Sequence, residues 1–378
     1  MDVKQIAEIM NSVTSEVLGK TALVTEDLSN IVDVGTEIFD TNNVDNYVKS
    51  LIDHIGRVVF VNRPYRGNVP SIMKDAWEYG SILEKITMDK LPEAVENESW
   101  DLTDGKTYDP NVFHKPQVSA KFFNKRVTFE IDMSITERQV KESFSSPEQL
   151  NGFLSMIYNA IDKSMTVKLD SLVMRTIDML IGQTIHAEGE GGDVKVVHLL
   201  DVYKERFGTE LTKENSLTDP NFIKFAVLMM GLYIDRLGTI STLFNVGGKD
   251  RFTPKDMLNV VMLSEFKQSA NVYLQSDTFH NEFTTLPNAE TVPYWQGSGK
   301  DYGFDSTSAI DIALGSDTNV TKSGILAVMF DRDACGVTNL NRRVTTQYNP
   351  KGEFFNNFYK FDAGYFIDLN ENAVVFML

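Results

Sequence analysis

The sequence predicts an α+β chain with more than one domain, and three observations predict it. One amphipathic run occupies about residues 147–181 without a break. Short β-branched and aromatic segments fill residues 322–378. Between the amino terminus and the long run lies an excursion, residues 66–127, rich in Gly, Pro, Asn and Asp and bracketed by strand-like segments. Helical periodicity and alternation therefore both occur, in separate stretches, which is the pattern of an α+β fold.

Composition narrows the class. The chain has 378 residues, 42% of them hydrophobic and 24% charged, an ordinary globular mix that excludes disordered and collagen-like chains. Its net charge of −17 argues against a grip on phosphate backbones, which requires basic surface. One cysteine, Cys335, excludes a disulfide framework and a cysteine-rich zinc site. The start, MDVKQIAEIM, lacks the apolar core of a signal peptide, and no apolar run approaches the roughly 20 residues of a membrane span.

In chain order, the first 45 residues are polar and weakly patterned, with Ile6, Ile9, Met10 and Val13 at helical spacing. They read either as a poorly ordered terminus or as an arm ordered against a neighbouring subunit. Val44, Tyr47, Val48, Leu51, Ile52 and Ile55 then mark a helix stopped by Gly56, and RVVFV after it is a short buried strand. His54, inside that helix, has no nearby partner and reads as a packed or solvated residue.

The excursion holds Trp77 and Trp100 and prolines that include Pro92, Pro110 and Pro116. Its flanks, YGSILEKITM and KFFNKRVTFEIDM, are closer to period 2 than to 3.6. A two-stranded hairpin alone is marginal in water, so this element leans on something else, and another copy of the chain is the simplest candidate.

Ser146-Pro147-Glu148-Gln149 is a capping box with proline at the first helical position. The apolar positions from Leu150 to Ile181 recur three or four apart, and Gly182 is the expected stop. About 35 residues make a rod of roughly 50 Å. Charges at Asp162, Lys163, Lys168, Asp170, Arg175 and Asp178 exclude a membrane span, and the drifting seam weakens a coiled coil. Downstream, KVVHLLDVYKERFG is ambiguous between strand and helix. Asp219-Pro220 opens a helix closed by Gly238, residues 257–263 are a buried strand, and SEFKQSANVYLQSDTFHNEF is helical. Short strands and turns follow from about residue 284, and GILAVMF, RRVTTQY, FYKFDAGYFIDLN and AVVFML end the chain as strands.

Searching for chemistry gives little. No P-loop, nucleophile elbow, zincin or dinucleotide motif occurs. Gly189, Gly191 and Gly192 sit among Glu188, Glu190 and Asp193, which repel a phosphate. His54, His114, His186, His198 and His280 lack metal-ligand spacing, and Cys335 reads as a small buried hydrophobe. Asp331 and Asp333 flank Arg332, and Asp301 and Asp305 lie in a glycine-rich loop. Neither pair has a calcium-loop pattern, and both read as solvated turns. No catalytic, cofactor-binding or metal-binding residue is assigned, and no cofactor is expected.

The order of elements, with VDNYVKSLIDHIGRVVF (44–60), FHKPQVSAKFFNKRVTF (113–129), AVMFDRDACGVTNL, RRVTTQYNPKGEFFNNFYKF and the closing ENAVVFML, resembles the major capsid proteins of tailed bacteriophages of phi-29-like kind. The resemblance implies a Hong Kong 97-type fold. It implies an N-terminal arm at 1–45, the first part of a P-domain at 46–65, an E-loop at 66–127 and the P-domain with its spine helix at 128–215. An A-domain at 216–354 and P-domain return strands at 355–378 complete it. No immunoglobulin-like module is expected after the last strand.

It also implies a structural role with no enzymatic activity: self-assembly into hexamers and pentamers of an icosahedral or prolate head around double-stranded DNA. The implied partners are further copies, a scaffolding protein and a portal protein, with no membrane. The implied location is the virion, after assembly in the host bacterial cytoplasm. Trp77, Trp100 and Phe113 are the intersubunit candidates, as aromatic anchors. Two rivals stay open: an encapsulin-like nanocompartment shell, and a carbohydrate-active enzyme or adhesin using Asp301 and Asp305. The charge of −17 fits a container whose inner wall repels DNA rather than gripping it; a strongly basic inner face would refute that reading.

Overall fold

A computed structural model of the chain describes residues 3–19, 24–39, 46–47, 50–51, 69–74, 83–92, 94–189, 194–275, 289–295, 309–314 and 318–378. The expected strand at 57–61, His54, His280 and the 296–308 loop with Asp301 and Asp305 lie outside these residues. Two compact units emerge. The first comprises Met1–Ala76, Arg126–Val173 and Val337–Gly364; the second comprises Trp77–Lys125, Met174–Gly336 and Tyr365–Leu378.

In the first unit the amino-terminal stretch is folded, not loose. Helix α1 (Val3–Leu18) buries Ile6, Ile9, Met10 and Val13, and helix α2 (Ile31–Phe39) follows. Tyr47 is fully buried, its hydroxyl 3.2 Å from Thr14 Oγ1, and burial pushes its pKa up to about 12. The Asn11 side chain pins Val24 by accepting from its N–H at 2.8 Å and donating to its carbonyl at 2.9 Å. Gly35 lets α2 approach closely: a Cβ there would lie 2.7 Å from Phe144 Cβ. The weak pattern across the stretch reflects two helices separated by polar turns, the second of only nine residues.

A four-stranded sheet completes this unit, in the order β1-β11-β12-β4. Strand β1 is Met73–Lys74, β4 is Arg126–Thr136, β11 is Cys335–Asn349 and β12 is Phe354–Ile367. The β4–β12 ladder runs antiparallel from Thr136↔Phe354 to Arg126↔Gly364. Strand β12 alternates buried and half-buried positions for most of its length, so its period-2 sequence pattern matches a sheet with one covered face. Helix α3 (Glu137–Ser143) begins at a full capping box between Thr136 and Gln139.

Helix α4 (Pro147–Glu188) has 42 residues, roughly 63 Å at 1.5 Å per residue. Ser146 Oγ accepts from the Gln149 N–H at 3.2 Å, as the capping signal predicts. The helix passes the expected stop. Gly182 is an interior helical residue whose missing Cβ would meet Ile312 and Leu314 at ordinary contact distance, and the chain leaves the helix at Gly189, φ +74°. The division between the units falls inside α4, between Val173 and Met174.

The second unit centres on a five-stranded sheet, β5-β13-β10-β6-β7. Its strands are β5 (Val196–His198), β6 (Leu258–Leu263), β7 (Glu290–Val292), β10 (Ile325–Asp331) and β13 (Ala373–Met377). Every residue of β10 and β13 is buried, which explains their unbroken apolar runs. The ambiguous KVVHLLDVYKERFG resolves into β5 followed by helix α5 (Leu199–Phe207). Short helix α6 (Lys213–Ser216) leads to α7 (Pro220–Leu237), where Asp219 caps by accepting from the Phe222 N–H at 2.8 Å. Helix α8 (Ser264–Gln275) packs beside α7. Two two-stranded elements complete the unit: the hairpin β2 (Leu83–Met88) with β3 (Val118–Phe123), and β8 (Ile310–Ala313) with β9 (Asn319–Lys322).

Candidate functional site

The hairpin β2–β3 wears its faces the wrong way out for a lone protein. Its strands pair antiparallel, with Lys85 directly opposite Lys121 and Met88 opposite Val118. Lys85, Thr87, Ser119, Lys121 and Phe123 turn toward the rest of the second unit, whereas Ile86, Met88, Val118 and Phe122 face solvent. Ile86 is 65% and Phe122 61% exposed. An ordinary half-buried hairpin turns its apolar face inward.

Two lysines directly opposite one another repel, and the hairpin would be unstable with that face empty. The structure supplies their counter-charges from the β12–β13 turn. Lys121 Nζ lies 2.9 Å from Asp368 Oδ1, and Lys85 Nζ lies 3.1 Å from Asp368 Oδ2 and 2.7 Å from Glu371 Oε1. Arg251 Nε also reaches Glu371 Oε1, at 3.3 Å, and Arg251 donates from its guanidinium to the Met88 carbonyl at 3.1 Å. At the far end Lys249 Nζ and Ser119 Oγ both sit 2.7 Å from Asp89 Oδ1. Phe123 packs on Phe366, ring centroids 5.3 Å apart.

Charge and burial compete in this clamp. Burial pushes the Asp368 carboxyl up, but the hydrogen bond from Lys121 and the Lys85 charge outweigh it and hold the group below the usual carboxylate range. Burial likewise pushes Lys85 down, and Glu371 with Asp368 raise it above its ordinary value.

The turns that present these carboxylates are themselves fixed. Asp368 N–H donates to the Ala334 carbonyl at 2.7 Å, and Thr253 Oγ1 donates to Asp331 Oδ2 at 2.8 Å. Gly247 packs closely against this turn, since a Cβ there would displace the Asn370 side-chain amide. The Asp331-Arg332-Asp333 cluster is therefore turn architecture: Asp331 is buried and accepts from Thr253 and from the Asp333 N–H.

Beyond the clamp, residues 89–117 form a long tip whose regular structure is one 3-10 turn, Glu98–Trp100. Trp100 is 99% exposed and Phe113 84% exposed, and Leu91, Val95, Leu102 and Val112 are exposed with them. Of the three intersubunit candidates, Trp100 and Phe113 thus lie on this tip, and Trp77 falls outside the described residues. The outward faces of β2 and β3 were missed as candidates, although the alternation in LEKITM and VSAKFF carried the signal. What alternation lacks is which face is inward, and the opposed lysines decide that.

The Phi29-like phage major capsid protein model matches residues 7–377 of this chain. The chain belongs to that family. The major capsid protein of Bacillus phage B103 is 25% identical over 366 residues, covering 94% of this chain and 68% of that protein. Among solved structures, a chain of the capsid structure of Staphylococcus phage Andhra matches with a TM-score of 0.54 at 12% identity, covering 82% of this chain and 84% of that one. A chain in the structure of head fiber and inner core protein gp22 of native bacteriophage P68 matches with a TM-score of 0.51 at 12% identity, covering 84% and 86%. These likenesses show the fold: the protein has the α+β fold of phage capsid chains.

The protein is a phage major capsid protein, a structural component of the shell. The nanocompartment and carbohydrate-active readings gain no support from these relatives. Among the described residues no group of three or more His, Cys, Asp or Glu is placed to hold a metal ion, and Cys335 is buried. His186 and His198 both line one cleft in the second unit. No helix among the described residues is long and apolar enough to cross a membrane.

The charge at position 178, counted in the sequence against a membrane span, is buried. Among the described residues neither Asp178 oxygen has a hydrogen-bond partner, and burial pushes its carboxyl well above the usual range.

Proposed function

We propose that the hairpin β2–β3 and its tip are the flap by which each subunit holds the next in the shell. The observation that carries this is the inverted hairpin: charged face clamped to its own unit, apolar face and aromatic tip left open. A contiguous apolar surface of this kind marks a contact with another protein. The partner is a second copy, because shell subunits make head-to-tail contacts that close into rings, and hexamers and pentamers of a head are such rings.

On this reading residues 66–127 are the E-loop of a Hong Kong 97-type subunit, 1–45 the N-terminal arm, and 46–65, 128–215 and 355–378 the P-domain, with 216–354 as the A-domain. Trp77, Trp100 and Phe113 are intersubunit anchors. The role is structural, with no reaction catalysed. A scaffolding protein and a portal are partners during assembly in the host bacterial cytoplasm, and the finished virion head encloses double-stranded DNA without sequence-specific binding. A net charge of −17 supports a wall that does not grip the genome.

The test replaces the outward apolar face while keeping the clamp: Ile86→Lys with Phe122→Glu, cross-strand diagonal neighbours that can pair with each other. The variant is expected to fold with an unchanged circular dichroism spectrum and to fail to form closed particles by electron microscopy. Closed particles at normal yield would overturn the assignment.

A further inference from the structure

The second unit contains a cleft of about 480 Å³ where the carboxy-terminal end of α4 meets strands β5, β9 and β13. Two features of its walls are unusual together: among the described residues, both flanking strands present open edges to it and no carboxylate lines it.

Strand β9 pairs with β8 alone among the described residues. Leu314 N–H donates to the Thr318 carbonyl at 2.8 Å, which fixes the phase of that antiparallel ladder. In such a ladder the bonded pairs alternate. Val320 and Lys322 therefore turn their main-chain groups toward β8, and Asn319 and Thr321 turn theirs away. All four residues of β9 line the cleft. Successive side chains point to opposite faces of a strand, so four in a row share one cleft only where it runs along the strand edge.

Strand β5 is the edge of its sheet, parallel to β13. Val375 N–H donates to the Lys195 carbonyl at 2.7 Å. That phase turns the main-chain groups of Val197 toward β13 and those of Val196 and His198 outward. Val196 and His198 are the β5 residues that line the cleft. The floor adds Ile185 and Met377, and among the described lining residues the side chains able to carry charge are His186, His198 and Lys322, all cationic when charged; the Asp311 carboxylate, not itself a lining group, accepts from Asn319 Nδ2 at 2.6 Å and from Thr321 Oγ1 at 2.9 Å. In a chain of net charge −17, a concavity with that lining is distinctive.

We propose that this cleft is a strand-addition site for an extended segment of a partner protein in which carboxylates alternate with β-branched apolar residues. The segment's main chain pairs with the outward groups of Asn319 and Thr321 and of Val196 and His198. Its apolar side chains enter between Ile185, Val320 and Met377, and its carboxylates meet His186, His198 and Lys322. Main-chain pairing supplies affinity, and the alternation of side chains supplies selectivity. Charge complementarity selects an acidic partner over a basic one.

The test uses the full chain and three fluorescein-labelled peptides: Ac-Glu-Val-Glu-Val-Glu-Val-NH2, its lysine counterpart, and the acidic peptide N-methylated at alternate amides. The acidic peptide is expected to give saturable anisotropy and to slow hydrogen exchange at residues 196–198 and 319–322. The lysine and N-methylated peptides are expected to bind at least tenfold more weakly. Lys322→Glu is expected to weaken the acidic peptide tenfold or more. Thr321→Pro removes an outward N–H that β8 does not use, so the hairpin is expected to persist while binding is lost. Equal binding of acidic and basic peptides, indifference to N-methylation, or no binding at all would overturn the proposal. So would exchange protection of both strands that rises with protein concentration without peptide, because a second copy would then be the occupant.

Discussion

Replacing Asp368 with asparagine removes the charge on which the hairpin clamp converges and keeps the shape of the side chain. Asp368 is 2% exposed and Lys85 18%, so their 3.1 Å pair is largely shielded from water. Breaking such a pair from one side costs roughly 3–5 kcal/mol. The Lys121 pair adds less, because that side chain is 42% exposed and an exposed pair contributes at most about 1 kcal/mol. Lys85 keeps Glu371, and the asparagine oxygen still accepts one hydrogen bond, so the lower end applies: about 3 kcal/mol. That corresponds to roughly a hundredfold increase in the open population of the hairpin. The assay is hydrogen exchange resolved by mass spectrometry. Peptides covering 85–88 and 118–122 are expected to exchange roughly a hundredfold faster, with α7 peptides unchanged as the internal control.

The wild-type clamp also gives a pH signature. Asp368 has a lowered carboxyl in the fold, so its contribution is complete above the ordinary value of about 4 and is lost as pH falls through the lowered one. Hairpin exchange, corrected for its intrinsic pH dependence, is expected to accelerate below about pH 4 in the wild type and to lose that acid step in Asp368→Asn. A change of less than threefold at neutral pH, or equal acceleration in α7, would refute the clamp as the element that seats the hairpin.

Three further outcomes follow from other residues. Burial raises the Asp178 carboxyl, so stability falls as pH rises from about 4 toward the folded value, by up to about 1.4 kcal/mol per pH unit; urea midpoints of Asp178→Asn are expected to lack that slope and to exceed the wild type at pH 8. Trp100→Ala and Phe113→Ala remove fully open side chains, so the denaturation midpoint of the lone subunit is expected to shift by less than about 0.5 kcal/mol, while the protein concentration needed for particle formation rises at least tenfold by light scattering. Gly182→Ala is expected to stabilise the subunit by up to about 1 kcal/mol, since a Cβ fits there at 3.7 Å from Leu314, whereas Gly189→Ala is expected to destabilise it by about 1 kcal/mol because of its φ of +74°.

The long helix, the two-stranded excursion and the closing strands were legible because each carries its own period. The apolar positions of α4 recur three or four apart from Leu150 to Ile181 and are buried nearly without exception. Its end was misjudged because glycine at 182 stops a helix only where the backbone must turn left-handed, and Gly182 instead keeps helical backbone with room for a Cβ beside Ile312 and Leu314. The amino-terminal helices were underread because α2 has only nine residues, about two and a half turns, too few for a periodic signal. The clamp was illegible for a different reason. Lys121 meets Asp368 across 247 residues of chain and Lys85 meets Glu371 across 286, and no local rule links charges so distant. Asp178 shows the same limit from the other side: a carboxylate in an amphipathic run reads as solvated until the packing around it is known.

The central claim is that the inverted hairpin and its aromatic tip are covered by a neighbouring copy. Cryo-electron microscopy of the particles formed by the full chain tests it most directly. The account predicts closed shells in which Trp100, Phe113 and the outward face of β2–β3 are buried against the adjacent subunit. Closed shells in which both aromatic side chains point to solvent would contradict it.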